Sequence, residues 1–178
     1  MKALIVIDML NDFVTGVLAN EPDATRIVPS IKRLIDHARS QPDWLVVYSN
    51  DAHRADDREI GVWGKHAMAG TRGADVIDAL APIGADREIV SPKRFYGAFD
   101  ETGLKHYGVK DVVLAGQHTH CCVRHTAYGA FTRNYGIKIP SDAVCVFPGV
   151  DQEASLEYLK TIYGAEITTS AAVAAPNQ

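Results

Sequence analysis

A pair of adjacent cysteines follows an apolar run in the second half of the chain. The run VVLA at residues 112–115 leads into GQHTHCCVRHTAYGAF, in which Cys121 and Cys122 stand directly before Val123. A helical pattern begins at Val123, so a thiol at Cys122 would lie at a helix N-terminus. There the helix dipole and unpaired backbone N–H groups favour the thiolate, and the same groups could hold a tetrahedral oxyanion. The pattern makes Cys122 a candidate nucleophile. Packing in the core is the competing interpretation, which is favoured for Cys122 taken alone and more strongly for Cys121 and Cys145.

An acid and a cation also stand near the ends of apolar runs. Asp8 ends the run that begins at residue 3, and Lys93 comes shortly after the run at 88–90. A carboxylate in such a place could accept the thiol proton and later return it, provided that burial and a nearby cation set its pKa. Together with Cys122 these residues would form the base, cation and nucleophile of covalent hydrolysis. Taken singly, each could instead be a cap or a solvated charge.

The segment at 51–53 and His66 have the residue types of a divalent-metal site. Alternate side chains of an extended segment point the same way, so Asp51 and His53 could both face one ion. Three protein ligands would leave coordination positions open for water or substrate. The alternative is that these are ordinary histidines of a surface loop.

The histidines that precede the cysteine pair suggest a second possible metal site. His118 and His120 alternate and lie beside Cys121 and Cys122, and all four are residue types that bind zinc. Their spacing matches no closed Cys/His pattern, so this interpretation is weaker than a site at Asp51.

The elements that would position these residues alternate between strands and helices. Short, β-branched apolar runs predict strands that are buried on both faces of a parallel sheet. They lie at residues 3–7, 45–48, 88–90, 111–115 and 137–140, with a weaker sixth at 166–169. Helical patterns lie at 27–38, 74–80, 101–107, 123–134 and 152–163. This alternation predicts a doubly wound α/β fold, a Rossmann-like three-layer sandwich with a mainly parallel sheet of about six strands.

Two features of the pattern are irregular. Pro29 falls within the first predicted helix, which tolerates a proline only in its first turn. The segment at 51–73 has no clear periodicity and is long for a connection between a strand and a helix. Long loops in such folds are usually functional, which supports a ligand site there.

The candidate residues should meet at one edge of the sheet. In open α/β sheets, ligands bind beyond the carboxyl ends of the strands. Asp8, Asp51, Lys93 and Cys122 all follow predicted strands. We therefore expect the acid, the cation, the thiol and the metal ligands to lie close together.

Composition narrows the class of protein. A length of 178 residues fits one domain over 1–178. The apolar runs are too short to cross a bilayer, and the first residues lack the features of a secretion signal. Three cysteines, two of them adjacent, give little basis for disulfides and favour a reducing cytoplasm. The formal net charge of -4 comes from interspersed charges, so we expect neither a nucleic-acid nor a membrane partner.

Four ordered motifs make the chain resemble the isochorismatase-like cysteine hydrolases, and among them the nicotinamidase and pyrazinamidase branch. They are ALIVIDMLNDF, then SNDAHRADD with VWGKHAMAGTRGADV, then SPKRFYGAFDETGL, and finally LAGQHTHCCVRHTAYGAFTRNYGIKI. The resemblance covers nearly the whole chain. Four motifs in this order are specific for the superfamily and much less specific for the substrate.

The resemblance implies a role for each matching residue. The first motif implies Asp8 as the catalytic acid/base and Phe13 in the substrate pocket, and the third implies Lys93 as the lysine of the triad. The last motif selects Cys122 rather than Cys121, because the matching thiol stands directly before the valine of the motif. The second motif implies three metal ligands and an aromatic pocket wall, which are Asp51, His53, His66 and Trp63.

The resemblance also implies an oxyanion hole. A non-proline cis peptide is implied between Gln117 and His118, and it would direct the backbone N–H of His118, together with that of Cys122, at the oxyanion. The chain departs from the family pattern at Gly64 and Ala67 and in the loop before the thiol. In that loop Gln117, His118 and His120 replace small or acidic residues, which alters the lining of the pocket.

The implied activity is that of an amidohydrolase. It would cleave a small, nicotinamide-like carboxamide to an acid and ammonia through a thioester on Cys122. A divalent metal would orient the substrate, with zinc as the first candidate and iron or manganese as alternatives. Relatives imply a homo-oligomer, a dimer or tetramer, and a small-molecule amide as the partner.

Two other activities remain open. A hydrolase similar to N-carbamoylsarcosine amidase, or one acting on ureides, would use the same triad, and CVRHTA resembles that branch. A weaker alternative is a hydrolase in which the metal activates water and Cys122 only packs.

Glu59 is a further candidate ligand. It precedes His66 by seven residues in the loop that begins at Asp51. A second carboxylate would neutralise the charge of the ion and shift the preference from zinc toward harder ions such as manganese. The competing and favoured interpretation is a solvated charge in a segment rich in acidic residues.

Overall fold

The computed structural model describes residues 1–100, 102–103 and 107–175. It contains seven strands, which are β1 Lys2–Ile7, β2 Trp44–Asp51, β3 Glu88–Lys93, β4 Asp111–Gln117, β5 Gly136–Pro140, β6 Val144–Cys145 and β7 Glu166–Thr168. Six of them form one parallel sheet in the order β3-β2-β1-β4-β5-β7, and the two-residue β6 pairs with the end of β4. The predicted α/β class and the sheet of about six strands are confirmed.

In the described ranges six α-helices accompany the sheet: α1 Asn11–Val14, α2 Asp23–Ser40, α3 Ile60–Trp63, α4 Arg124–Phe131, α5 Gln152–Tyr163 and α6 Ser170–Ala174. A π-helical turn, Thr119–Val123, leads directly into α4. The remaining helical turns are of the 3₁₀ type and comprise Arg72–Ala74, Asp78–Leu80 and Ser141–Ala143. The predicted helix at 101–107 falls mostly outside the described residues. None of the helices in the described ranges is long and apolar enough to cross a membrane.

Alternate residues of the central strand β1 enter two different cores. Ile5 and Ile7 pack on the face covered by α4 and α5, whereas Leu4 and Val6 pack on the face covered by α2. The strand is buried on both sides, as its uninterrupted apolar sequence predicts. Burial of each such side chain contributes about 1.5–3 kcal/mol. The result is a sheet between two helical layers, with its carboxyl edge held in a fixed position.

Two local predictions were wrong. Pro29 is the seventh residue of α2 and therefore lies beyond the first turn. It sits on the exposed side of the helix, where water can bind the carbonyl group that its missing N–H leaves free. The predicted helix at 74–80 is replaced by two 3₁₀ turns. Its backbone is used elsewhere, because Val76 bridges to Leu10 and the carbonyl of Asp75 accepts the N–H of Asn11 at 3.0 Å.

Candidate active site

The close approach of β4 to β1 is set by a glycine. Gly116 has a φ of +110°, a conformation that L-residues with side chains rarely adopt, and a Cβ there would collide with the carbonyl of Ile7. Asp8, the next residue, also has a positive φ, of 50°, so the chain turns sharply where β1 ends. The carboxylate of Asp8 is thereby placed beside the loop that follows β4.

A buried cluster of charges lies at the ends of the three neighbouring strands β1, β2 and β3. The ammonium of Lys93 donates to Asp8 Oδ2 at 2.8 Å and to Asp51 Oδ1. The backbone N–H of Asp51 donates to Asp8 Oδ1 at 2.8 Å. All three residues are at most 2% exposed, so water screens their interaction little. The expected acid and cation therefore meet at one edge of the sheet, and Asp51 joins them.

The three charged groups shift one another's pKa values. Burial, reinforced by the charge of Asp51, raises the pKa of Asp8 to about 6 in spite of the ammonium beside it. Burial alone would lower the pKa of Lys93, but the two carboxylates raise it well above its usual value. The pKa of Asp51 is lowered, because Lys93 and His53 outweigh the effect of burial. Asp8 is thus the carboxylate best suited to exchange a proton near neutral pH.

Cys122 completes this cluster from the π-helical turn after β4. Its thiol is 4% exposed, and its sulphur lies within 4.8 Å of carboxylate oxygens of both Asp8 and Asp51. A hydrogen bond with Cys121 and burial raise the pKa of Cys122 well above its usual value, with the two carboxylates adding to the shift. The prediction that the helix N-terminus favours a resting thiolate is therefore wrong. The thiol is protonated at rest and stands beside a carboxylate able to accept its proton.

The loop between β4 and Cys122 contains the expected backbone feature, because the Gln117–His118 peptide is cis. The carbonyl of His118 accepts the backbone N–H groups of Cys121 at 2.9 Å and Val123 at 3.2 Å. These bonds fold the turn around the thiol. Use of the His118 and Cys122 N–H groups as an oxyanion hole stays a prediction.

Two buried amides anchor this loop to the first strand. The side-chain nitrogen of Gln117 donates to the carbonyls of Asp8 and Phe13, each at 3.3 Å. Asn20 in turn donates to the side-chain oxygen of Gln117 at 3.1 Å and to the carbonyl of Val146 at 2.9 Å. The departure from the family pattern at Gln117 therefore has a structural role, since it connects the acid and the thiol loop.

A second cluster lies beside the first and shares Asp51 with it. The Nε2 atom of His53 lies 3.6 Å from Asp51 Oδ2 and 3.8 Å from Glu59 Oε1. The Nε2 atom of His66 lies 3.7 Å from the same Glu59 oxygen. One ligand atom from each of these four residues lies within 4.8 Å of all the others. The three predicted ligands are thus brought together. Glu59, whose side chain is only 11% exposed, faces the cluster and not the solvent.

The far side of each imidazole is held by a hydrogen-bond acceptor. His53 Nδ1 lies 3.3 Å from Asp57 Oδ2, and His66 Nδ1 lies 2.7 Å from the carbonyl of Gly64. Asp57 is held in turn by the guanidinium of Arg94, which keeps the pKa of that carboxyl well below its usual range. Acceptors in these positions fix the tautomer in which Nε2 is free to bind a metal.

The unsatisfied atoms of this cluster fit a bound cation. Asp51 Oδ2, His53 Nε2 and His66 Nε2 are buried and have no hydrogen-bond partner among the described residues. Two imidazole nitrogens and two carboxylate oxygens form a donor set that suits zinc and its neighbours in the first transition row. The alternative site at His118 and His120 is not supported, because no metal-binding group of residues in the described ranges includes either histidine.

A narrow pocket opens between the two clusters and has aromatic walls. It is lined by Phe13, Leu18, Asp51, Glu59, Trp63, His66, Tyr96, His118, Cys121, Cys122 and Phe147. Phe13 and Trp63 are present as expected, and Trp63, 41% exposed, lies at the rim. Sequence reasoning missed Tyr96 and Phe147. Phe147 follows β6, so the rule that ligands bind beyond strand ends would have found it had that strand been recognised.

Comparison with known proteins agrees with this geometry. Residues 2–172 match the isochorismatase domain family. The uncharacterised isochorismatase family protein YaaI of Bacillus subtilis is 34% identical over 94% of this chain and 93% of its own. The crystal structure of N-carbamoylsarcosine amidase from Thermoplasma acidophilum is 38% identical, with a TM-score of 0.86 over 95% of this chain and 96% of that one. The zinc complex of the pyrazinamidase of Pyrococcus horikoshii is 29% identical, with a TM-score of 0.82 over 94% and 98%.

The fold and the site together define a three-layer α/β scaffold that contains a buried acid, lysine and cysteine. The chain belongs to the isochorismatase family. Within that family it is similar to amidohydrolases, which differ among themselves in the amide they cleave.

Proposed function

We propose that the protein is a cysteine amidohydrolase that cleaves a small, nicotinamide-like carboxamide to an acid and ammonia. The observation that carries this proposal is the buried cluster in which Lys93 bridges Asp8 and Asp51 beside the thiol of Cys122. A base, a cation and a nucleophile within a few ångströms are the parts that covalent hydrolysis needs. The narrow aromatic pocket above the thiol favours a small, flat substrate.

The reaction would begin with transfer of the Cys122 proton to Asp8. The sulphur then attacks the amide carbonyl, and the backbone N–H groups of His118 and Cys122 hold the resulting oxyanion. As the C–N bond breaks, Asp8 returns the proton to the leaving nitrogen and ammonia departs. Water next gives a proton to Asp8 and attacks the thioester carbonyl; as the C–S bond breaks, Asp8 passes this proton to the sulphur, which restores the thiol and releases the acid. Throughout, Lys93 stabilises negative charge on the carboxylate and the sulphur.

A divalent metal would be held by Asp51, His53, His66 and Glu59. When bound, it would supply positive charge that orients a polar group of the substrate. Zinc is the first candidate, in keeping with the zinc complex of the related pyrazinamidase. The second carboxylate, Glu59, makes manganese and iron the competing ions. The side chain of Asp57 and the carbonyl of Gly64 would keep the imidazoles of His53 and His66 oriented.

An activity like that of N-carbamoylsarcosine amidase is the second candidate. The solved structure with that name shares 38% identity with this chain, more than the pyrazinamidase structure does. The same acid, lysine and thiol would serve it, with a ureido carbonyl as the group attacked. The two candidates differ in the substrate and in whether turnover needs the metal.

Ammonia release across a panel of amides tests the proposal. The protein is stripped of metal, and each substrate is assayed with and without added zinc or manganese. Fastest turnover of nicotinamide or pyrazinamide with metal present would support the leading candidate. Metal-independent turnover of N-carbamoylsarcosine would support the second. Failure to hydrolyse any amide or ureide of the panel would overturn both.

A further inference from the structure

The imidazole of His118 has no part in the proposed reaction, which uses only the backbone of this residue. The ring lines the same pocket as Cys122 and is 2% exposed. Its Nε2 atom is buried and has no hydrogen-bond partner among the described residues. A buried polar atom without a partner costs free energy, so a group that arrives with the ligand is the natural partner for it.

Two aromatic rings hold this imidazole in place. Phe147 stacks on it with ring centroids 3.7 Å apart and an angle of 24° between the rings. Phe13 meets it edge-on at 5.9 Å, and Phe13 also packs against His66 of the metal cluster at 5.5 Å. His118 and His66 of the metal cluster therefore both pack against the Phe13 ring. The pocket thus offers the imidazole of His118 as a polar group in addition to the thiol and the metal cluster.

The ring is uncharged and faces a pocket that already contains carboxylates. Burial lowers the pKa of His118 to about 3, so one ring nitrogen donates a hydrogen bond and the other accepts one. Asp51 and Glu59 line the same pocket, but the proposed divalent metal would balance their charge. The uncharged ring is therefore what leaves an anionic group of the ligand without a counter-charge. A neutral group that can both donate and accept fits this surrounding best.

We infer that His118 determines substrate specificity by hydrogen-bonding a second, uncharged polar group of the amide substrate. The inference rests on the proposed function, and it narrows the substrate class to small amides with a further uncharged polar group, such as a ring nitrogen, carbonyl, amide or hydroxyl. One carbonyl would meet Cys122 while the second polar group meets the imidazole. Phe or Leu at this position would also fill the space between the aromatic rings but would offer the substrate no hydrogen-bond partner.

Binding to the Cys122→Ala protein tests the inference apart from the chemistry. Ligand-observed NMR would compare malonamide, which has a second amide, with isovaleramide, in which an isopropyl group replaces it, and with malonamate, which has a carboxylate. In the same background, His118→Phe and His118→Leu remove the nitrogens, while His118→Gln keeps one. His37→Phe is the matched control, because His37 also packs on an aromatic ring, Trp44, away from the site.

We expect malonamide to bind more tightly than isovaleramide. The His118→Phe and His118→Leu changes should reduce that preference at least about tenfold, while His118→Gln and His37→Phe should leave it within about threefold. An unchanged preference in both apolar variants, no preference in the starting protein, or no binding would overturn the inference. Tighter binding of malonamate, lost in the same variants, would also overturn it by showing an anionic ligand. Ammonia release from malonamide by the protein with Cys122 intact separately tests the proposed function.

Discussion

The two halves of the site share Asp51 but differ in how their polar atoms are paired. On one side, both carboxylate oxygens of Asp8 and the ammonium of Lys93 have partners within the protein. On the other side, Asp51 Oδ2 and the Nε2 atoms of His53 and His66 have none among the described residues. The acid and the lysine therefore form a complete unit within the protein, whereas the histidine cluster has buried polar atoms that suit a bound cation.

Removing the positive charge of Lys93 from the complete unit should have the largest effect on both stability and activity. Lys93→Met leaves two buried carboxylates facing each other without a counter-charge, and loss of one partner of a buried pair costs about 3–5 kcal/mol. Urea unfolding should show a loss of this size, with ammonia release abolished. Lys32→Met is the control, because Lys32 forms an exposed pair with Asp36 and should lose less than about 0.5 kcal/mol. Similar losses in the two variants would contradict the account of a self-contained charged unit.

Asp8→Asn should impair catalysis while leaving metal binding nearly unchanged. An amide at this position can still accept the N–H of Asp51 but cannot take the thiol proton, so kcat should fall by about 10²–10⁴. The affinity for zinc, measured by competition with a chromogenic chelator, should stay within about threefold, since Asp8 lies outside the metal cluster. A tenfold loss of zinc affinity together with retained kcat would reverse the roles of the two halves.

Glu59→Gln should weaken metal binding with little effect on folding. Loss of a carboxylate that contacts the ion should lower the affinity for zinc or manganese by about 10–100-fold. Asp56→Asn is the matched control, because that carboxylate is exposed in the same loop. If the titration curves of wild type and Glu59→Gln coincide, Glu59 is not a metal ligand and is only a solvated charge.

The complete half of the site could be predicted from sequence because its residues directly follow apolar strands. Asp8 follows β1, and Asp51 and Lys93 end β2 and β3, so the parallel order of these strands brings them together. The prediction of burial on both faces was wrong for β3, because it is an edge strand and its Val90 is exposed. The pKa of Cys122 was not predictable in this way. The helix N-terminus and the neighbouring Cys121 are visible in sequence, but the burial and the two carboxylates that also raise the pKa arise only in the fold.

The aromatic residues that line the pocket were also only partly predictable from sequence. Phe13 and Trp63 were assigned to the pocket from their motifs, whereas Tyr96 was given no role although it lies in the third motif, and Phe147 reaches the pocket from a segment without a motif. The helix predicted at 74–80 failed for a related reason, because Asp75 and Ile77 in the middle of that segment use their backbone groups to bond to Asn11 and Met9. Local periodicity carries no information about such distant partners.

The rate of ammonia release by Cys122→Ala tests the central claim most directly. The assay uses whichever amide the wild-type protein cleaves fastest, and Cys121→Ala serves as the control because that thiol lines the same pocket. Removal of the nucleophile should lower the rate by about 10⁴-fold or more, while Cys121→Ala should retain most of the activity. If Cys122→Ala instead releases ammonia at close to the wild-type rate, the thiol only packs in the core and hydrolysis through a cysteine thioester is excluded.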